Sequence, residues 1–141
     1  MHLVLDANEY IFSLGLFKQK DSEALLTRIS ANRSLHSLAI CRTLVEEVRT
    51  NLSPKDFQIF IRFINRLTTI DEDFVVPFEL GLKYDRMGLK EADAFIAAYA
   101  EWVGADVLVS ENRHFLSRNT NLPFKVLNAD SCLKFISASL Q

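Results

Sequence analysis

Two short stretches place acids where an α/β protein can use them for chemistry. Asp6 closes the apolar run His2 to Leu5, and Ser110-Glu111-Asn112 closes another, Val107-Leu108-Val109. If both runs are parallel strands, their ends share the carboxyl edge of the sheet, where ligands bind near the reversal of strand order. Asp93 falls in the first turn of a helical stretch, and that helix N-terminus points toward the same edge. Carboxylates a few ångströms apart drive one another's pKa upward, and a hard divalent cation with oxygen ligands removes that penalty. The chemistry such acids suit is the holding of a hard divalent cation. Taken singly, each residue has a plainer use: Asp6 caps a helix, Asp93 complements a helix dipole, and Ser110 and Asn112 form turns.

The surrounding pattern supplies the elements that would hold these acids. A helix with Ile11, Phe12 and Leu16 follows Asp6; a second, capped by Asp21 or Ser22, carries Leu25, Leu26 and Ile29. His36 to Ile40 reads as the second strand. Arg42 to Leu52 is amphipathic, which puts Glu47 beside an inward Val48. Ser53-Pro54 opens the next helix, with Phe57, Ile61, Phe63, Ile64 and Leu67 on its apolar face. A strand at Thr68 to Ile70 precedes a helix from Pro77 to about Arg86, which Gly88 ends. Glu91 to Val103 is the clearest helix, closed by Gly104. A weaker strand at Phe124 to Leu127 leads to a last helix capped by Asp130 or Ser131. Repeated strand-then-helix order predicts a three-layer α/β/α fold around a central parallel sheet, with residues 1–141 forming one domain.

Composition sets limits. The 141 residues are 49% hydrophobic and 24% charged, as in an ordinary folded domain. A net charge of −2 excludes a broadly basic nucleic-acid binder, so any contact with RNA must be local. Cys41 and Cys132 lack metal-ligand spacing and read as buried thiols of a cytoplasmic protein. Asp93, Glu101 and Asp106 interrupt the most apolar window, which argues against a membrane span. His2, His36 and His114 read as structural, and no Ser/His/Asp, Cys/His or glycine-rich phosphate motif is present.

The joint arrangement resembles the PIN-domain family, most nearly its small bacterial VapC-type members. Leu3-Val4-Leu5-Asp6-Ala7-Asn8 resembles that family's opening strand, with Asp6 and, two residues on, Asn8. Leu44 to Leu52 resembles its central helix, in a register that selects Glu47, with Glu46 the alternative. Glu91-Ala92-Asp93-Ala94-Phe95-Ile96, followed by Gly104-Ala105-Asp106-Val107-Leu108-Val109-Ser110-Glu111-Asn112-Arg113-His114-Phe115, resembles its acid, small-residue helix, turn and strand. One departure stands out: Asn112 occupies the place of a fourth acid. Glu111 could substitute, Asn112 could ligate through its amide oxygen, or the site could be weakened.

The resemblance implies a Mg²⁺- or Mn²⁺-dependent ribonuclease, with the toxin of a toxin–antitoxin pair as one form it takes. Asp6 and Asp93 would hold the metal, Glu47 would bind it or orient the attacking water, and Ser110 would support a ligand carboxylate or a phosphate oxygen. Arg113, Arg42 or Arg49 would place single-stranded RNA. A homodimer and an inhibitory antitoxin follow by the same resemblance, and Phe57, Phe60, Ile61 and Phe63 form the expected contact surface. Two other readings compete. One is a PIN-like binding module that lost turnover with its fourth acid. The other is a response-regulator-type phosphotransfer domain, which fits less well because Ala7 stands where a second acid is needed and no suitable Lys follows a late strand.

Overall fold

A computed structural model describes residues 1–112, 115 and 121–139. Five parallel strands form one sheet: β1 (His2–Leu5), β2 (Ser37–Cys41), β3 (Ile70–Asp71), β4 (Val107–Val109) and β5 (Lys125–Leu127), in the order β3-β2-β1-β4-β5. The chain builds leftward from β1 to β3 and then restarts at β4 on the other side of β1. The β1–β4 junction is therefore where strand order reverses. Leu3, Val4, Leu5 and all of β4 are fully buried, as their unbroken aliphatic runs require of strands covered on both faces.

The helices are α1 (Ala7–Leu14), α2 (Lys20–Ala31), α3 (Arg42–Asn51), α4 (Pro54–Leu67), α5 (Phe78–Arg86), α6 (Glu91–Trp102) and α7 (Ala129–Ser139), with a 3₁₀ turn at Asp73–Val75. Their contacts fall into two sets. Helices α1 to α4 and α7 pack among themselves, and α5 packs on α6. Right-handed crossovers put those sets on opposite faces of the sheet, giving the three-layer α/β/α arrangement. Gly104, at φ 69°, ends α6 and turns the chain into β4; the small-residue face of α6, Ala94, Ala97, Ala98 and Ala100, is buried.

Several local expectations shift for identifiable reasons. Strand β2 begins at Ser37, one residue late, because the His36 N–H is taken by Asn32 of the preceding turn. Strand β3 is Ile70–Asp71, since Thr68 closes α4 by donating its N–H to Ile64. Neither Asp21 nor Ser22 caps α2: the chain enters it at Gln19, and Ser22 is turned into the protein. Asn128, not Asp130 or Ser131, caps α7 by accepting from Ser131 N–H at 2.8 Å.

On α1 the buried face is Ala7, Glu9, Tyr10 and Ser13, whereas Leu16 beyond its end is exposed. On α4 the buried residues are Phe60 and Ile64; Phe57, Ile61, Phe63 and Leu67 are half-covered. Phe60 meets Tyr10 edge-on at 5.1 Å between ring centroids, which removes it from any contact surface. Ser53 caps α4 as its spacing predicts, accepting from Asp56 N–H at 3.1 Å.

The acidic run that begins at the last residue of β3 ties helices to the sheet edge. Asp71 accepts from the Tyr99 hydroxyl at 2.6 Å, and Asp73 accepts from both the N–H and the hydroxyl of Thr43, at 2.9 and 2.7 Å. Asp73 is thus a side-chain cap for α3 supplied from another element. Replacing Asp73 with Ala should cost about 1 kcal/mol, the usual value of an N-cap. Urea unfolding checks this; an unchanged midpoint would show that solvent caps α3 equally well.

Candidate functional site

Asp6 sits at the reversal of strand order, where backbone pairing ends. Its N–H donates to Val109 O at 2.8 Å, Oδ1 accepts from Ala7 N–H at 2.9 Å, and Oδ2 accepts from the Ser110 hydroxyl at 3.0 Å. One residue therefore caps α1 and ties the exit of β1 to that of β4. Burial raises the Asp6 carboxyl above its ordinary range; the two hydrogen bonds work against that, and the charges of Asp93 and Glu111 add to it.

Asp93 arrives from the other layer, half-buried in the first turn of α6, and its Oδ2 accepts from Asn112 Nδ2 at 3.2 Å. The Asn112 N–H in turn donates to Ser110 Oγ at 3.1 Å. Asn112 and Ser110 thus link Asp93 to Asp6 through hydrogen bonds. Glu47 projects from α3, one residue before the buried Val48. Its carboxyl is also raised, first by partial desolvation and then by Asp6 and Asp93. Asp6 and Asp93 thus both bear on Glu47 across the carboxyl edge of the sheet. Among the described residues no three acidic, imidazole or thiol groups are drawn into a closed ligand set.

The remaining candidates divide. Asn8 is half-buried in the first turn of α1, close to Asp6 in the chain. Glu111 turns toward the start of α7, where its Oε2 accepts from Ala129 N–H at 3.1 Å. Arg42 spends its guanidinium on Glu72, with Nη2 at 2.7 Å from Oε1, and Arg49 pairs with Glu46 at 2.7 Å. Arg113 and His114 lie outside the described residues. Both cysteines are buried and free, with thiols pushed up to about 12 by burial, which leaves them unreactive at neutral pH.

Sequence reasoning missed Glu9. It is fully buried, its Oε1 accepts from the Ser22 hydroxyl at 2.8 Å, and its Oε2 has no donor among the described residues. Desolvation first, then Glu111 and Asp6, push it up to about 9. The sign follows directly: a raised folded-state pKa stabilises the fold fully below the unfolded value near 4.5 and loses that contribution as pH rises to about 9. In chelator, urea stability of the wild type should fall more steeply between pH 6 and 9 than that of Glu9→Gln. Parallel profiles would contradict this.

No known family model and no curated protein sequence matches this chain. Solved structures do. VapBC2 from Rickettsia felis, crystallised bound to a DNA fragment from its promoter, superposes with a TM-score of 0.62 at 17% identity, covering 91% of this chain and 98% of that one. PAE2754 from Pyrobaculum aerophilum gives 0.59 at 20% identity, over 98% and 90%. FitAcB from Neisseria gonorrhoeae gives 0.61 at 16% identity, over 90% and 97%.

The fold is PIN-like. Coverage near completeness on both sides means that the PIN-like architecture accounts for the described elements as a whole. Within it, Asp6 marks the switch point and Asp93 approaches from the opposite layer. Among the described residues no helix is long and apolar enough to cross a membrane.

Proposed function

We propose that this chain is a metal-dependent ribonuclease that hydrolyses RNA phosphodiester bonds. The observation that carries the reading is the hydrogen-bonded run from Asp6 through Ser110 and Asn112 to Asp93 at the strand-order reversal. Burial first, and then Asp93 and Glu111, raise the Asp6 carboxyl; burial first, and then Asp6 and Asp93, raise that of Glu47. Maintaining such repulsion lowers the stability of the metal-free fold, which makes sense where a cation relieves it. The donors are all hard oxygens, the set that Mg²⁺ or Mn²⁺ prefers, and Mg²⁺ commonly takes only one or two protein carboxylates along with water and substrate phosphate. An open grouping of Asp6, Asp93 and Glu47 fits that demand. When bound, the ion would neutralise phosphate charge and acidify a water molecule.

The protein's own groups do the rest. Ser110 fixes the Asp6 carboxylate by donating to Oδ2, and Asn112 fixes Asp93 in the same way. Glu47 lies at the solvent side of the group, and its raised carboxyl suits it to orient the attacking water and take up its proton. Arg42 and Arg49 can reach phosphate only by giving up exposed ion pairs, which are worth little in water, about 0 to 1 kcal/mol. Their contribution is to hold single-stranded RNA near the edge.

A second reading, the non-catalytic binding module, draws on Asn112, whose amide engages Asp93 Oδ2 where a further acid would add charge. Thermal unfolding with Mn²⁺ separates the two. A ligand at a hundred times its Kd stabilises by about 2.7 kcal/mol, so the wild type should shift upward with Mn²⁺ and Asp93→Asn should not. Equal behaviour of both proteins would remove the metal site and favour the module. As a toxin the chain would be cytoplasmic and meet an antitoxin, and the exposed Leu16, Phe17, Phe74 and Phe78 offer apolar surface for such a partner or for a second copy.

A further inference from the structure

The opposite edge of the sheet, where the strands begin, holds a cavity of about 440 Å³ between the end of α2, the start of β2 and the end of α4. Ile29, Leu38 and Leu67 give it apolar walls. His36 also lines it; the residue is only 5% exposed, and neither ring nitrogen has a hydrogen-bond partner. Buried polar groups are nearly always hydrogen-bonded, and an orphaned one calls for a partner. The backbone fixes the ring in place, since the His36 N–H donates to Asn32 O at 3.0 Å and closes the turn after α2.

The groups around that ring are donors. Arg33 is exposed at the cavity and donates from Nη2 to Arg66 O at the end of α4, which ties the guanidinium between the turn and that helix and leaves its other N–H groups available. Ser37 Oγ meets His2 Nδ1 at 2.7 Å; with His2 as the donor, the Ser37 hydroxyl keeps its own proton for a ligand oxygen. Ser34 adds a second hydroxyl. None of the described lining residues is acidic. The chain carries no acid from Ala24 to Val45 or from Phe57 to Ile70, the two stretches that enclose the cavity, whereas Arg28, Arg33 and Arg66 fall within them.

We propose that this cavity binds a small phosphate-bearing molecule, either inorganic phosphate or a mononucleotide. Arg33 forks onto the phosphate oxygens, and His36, Ser34 and Ser37 supply neutral donors to them. A cavity of this size leaves room beyond the phosphate, and its apolar walls suit the ring of a nucleoside. The site lies at the edge of the sheet away from Asp6 and stands independently of the ribonuclease reading.

The test follows the full chain in EDTA and phosphate-free buffer, with inorganic phosphate added in one series and adenosine 5′-monophosphate in another. Long-range ¹H–¹⁵N spectra should show the His36 ring nitrogens, identified by their absence from His36→Phe, shifting saturably, and the melting temperature should rise in step. Arg33→Ala, at an exposed position, should weaken both responses about tenfold or more, the scale of a lost charge-assisted hydrogen bond. His36→Phe keeps a ring but has no donor, and it should gain no stability from phosphate. Asp93→Asn, altered at the other edge, should respond as the wild type does. Tighter binding of the nucleotide assigns the apolar walls to its ring, and equal binding assigns the site to phosphate alone. Absence of a saturable shift up to about 10 mM of either probe overturns the proposal, as does an Arg33→Ala protein that binds like the wild type or a phosphate response retained by His36→Phe.

Discussion

Replacing Asp6 with Asn should yield a protein that melts at a higher temperature than the wild type in chelator and cuts RNA at least about a hundredfold more slowly, since loss of a group merely supporting a metal ligand already costs 10- to 100-fold. Both halves come from one fact. The Asp6 carboxyl is raised by burial and by its acidic neighbours, so at neutral pH its charged form is less stable in the folded protein than in the unfolded chain. By linkage, that contribution favours folding below the unfolded carboxylate pKa and is lost as pH rises through the folded one. Asparagine removes the charge and retains an oxygen for Ala7 N–H or the Ser110 hydroxyl. With saturating Mn²⁺ the order should reverse, because only the wild type then gains binding free energy. Melting curves with and without Mn²⁺, alongside cleavage rates, read this directly. A variant that is less stable in chelator, or one that cuts at the wild-type rate, would contradict it.

Asn112→Asp should have the opposite signature. The Asn112 amide now donates to Asp93 Oδ2 at 3.2 Å, and an ionised aspartate would exchange that donor for another repelling carboxylate. The metal-free variant should therefore unfold at lower urea concentration. Mn²⁺ should bind about tenfold tighter or more, since ligand charge is a principal determinant of affinity for hard cations. A titration by electron paramagnetic resonance reports the affinity. Unchanged affinity would show that residue 112 does not face the ion, leaving Asp6, Asp93 and Glu47 to account for the site alone.

The parts of this protein that were legible in its sequence are those set by short-range rules. Val107-Leu108-Val109 is apolar without interruption, and only a strand covered on both sides uses such a run. Ser53-Pro54 and Gly104 mark helix ends through capping chemistry that acts within four residues. Asp6, Asp93 and Asn112 could be placed because each lies immediately beside such an end, so topology alone brings them to one edge.

What depends on contacts between distant segments was not legible. Asp73 caps α3 from thirty residues away, so Thr43 gave no local sign of it. Ser22 has the residue type of an N-cap, yet its hydroxyl is used by Glu9, thirteen positions earlier. Glu9 was overlooked for the same reason: a charged residue on a short helix reads as solvent-facing, and the Ser22 hydroxyl that serves it when buried comes from another helix. The face of α1 was misjudged with it, because Ile11, Phe12 and Leu16 suggested a stripe, whereas Tyr10 and its partner Phe60 carry the packing. The arginines differ again. Arg42 looked available in sequence, and its partner Glu72 appears only once the segment after β3 is in place, whereas Arg49 pairs with Glu46 three positions back on the same helix.

The central claim is that Asp6, Glu47 and Asp93 act together on RNA through a divalent cation. The most direct test is cleavage of labelled single-stranded RNA by the wild type and by Asp93→Asn, prepared identically, with Mg²⁺ or Mn²⁺ and with EDTA. The account predicts cutting by the wild type that stops in EDTA and falls at least about a hundredfold in Asp93→Asn. Cutting that survives chelation, or that proceeds equally without the Asp93 carboxylate, would contradict it.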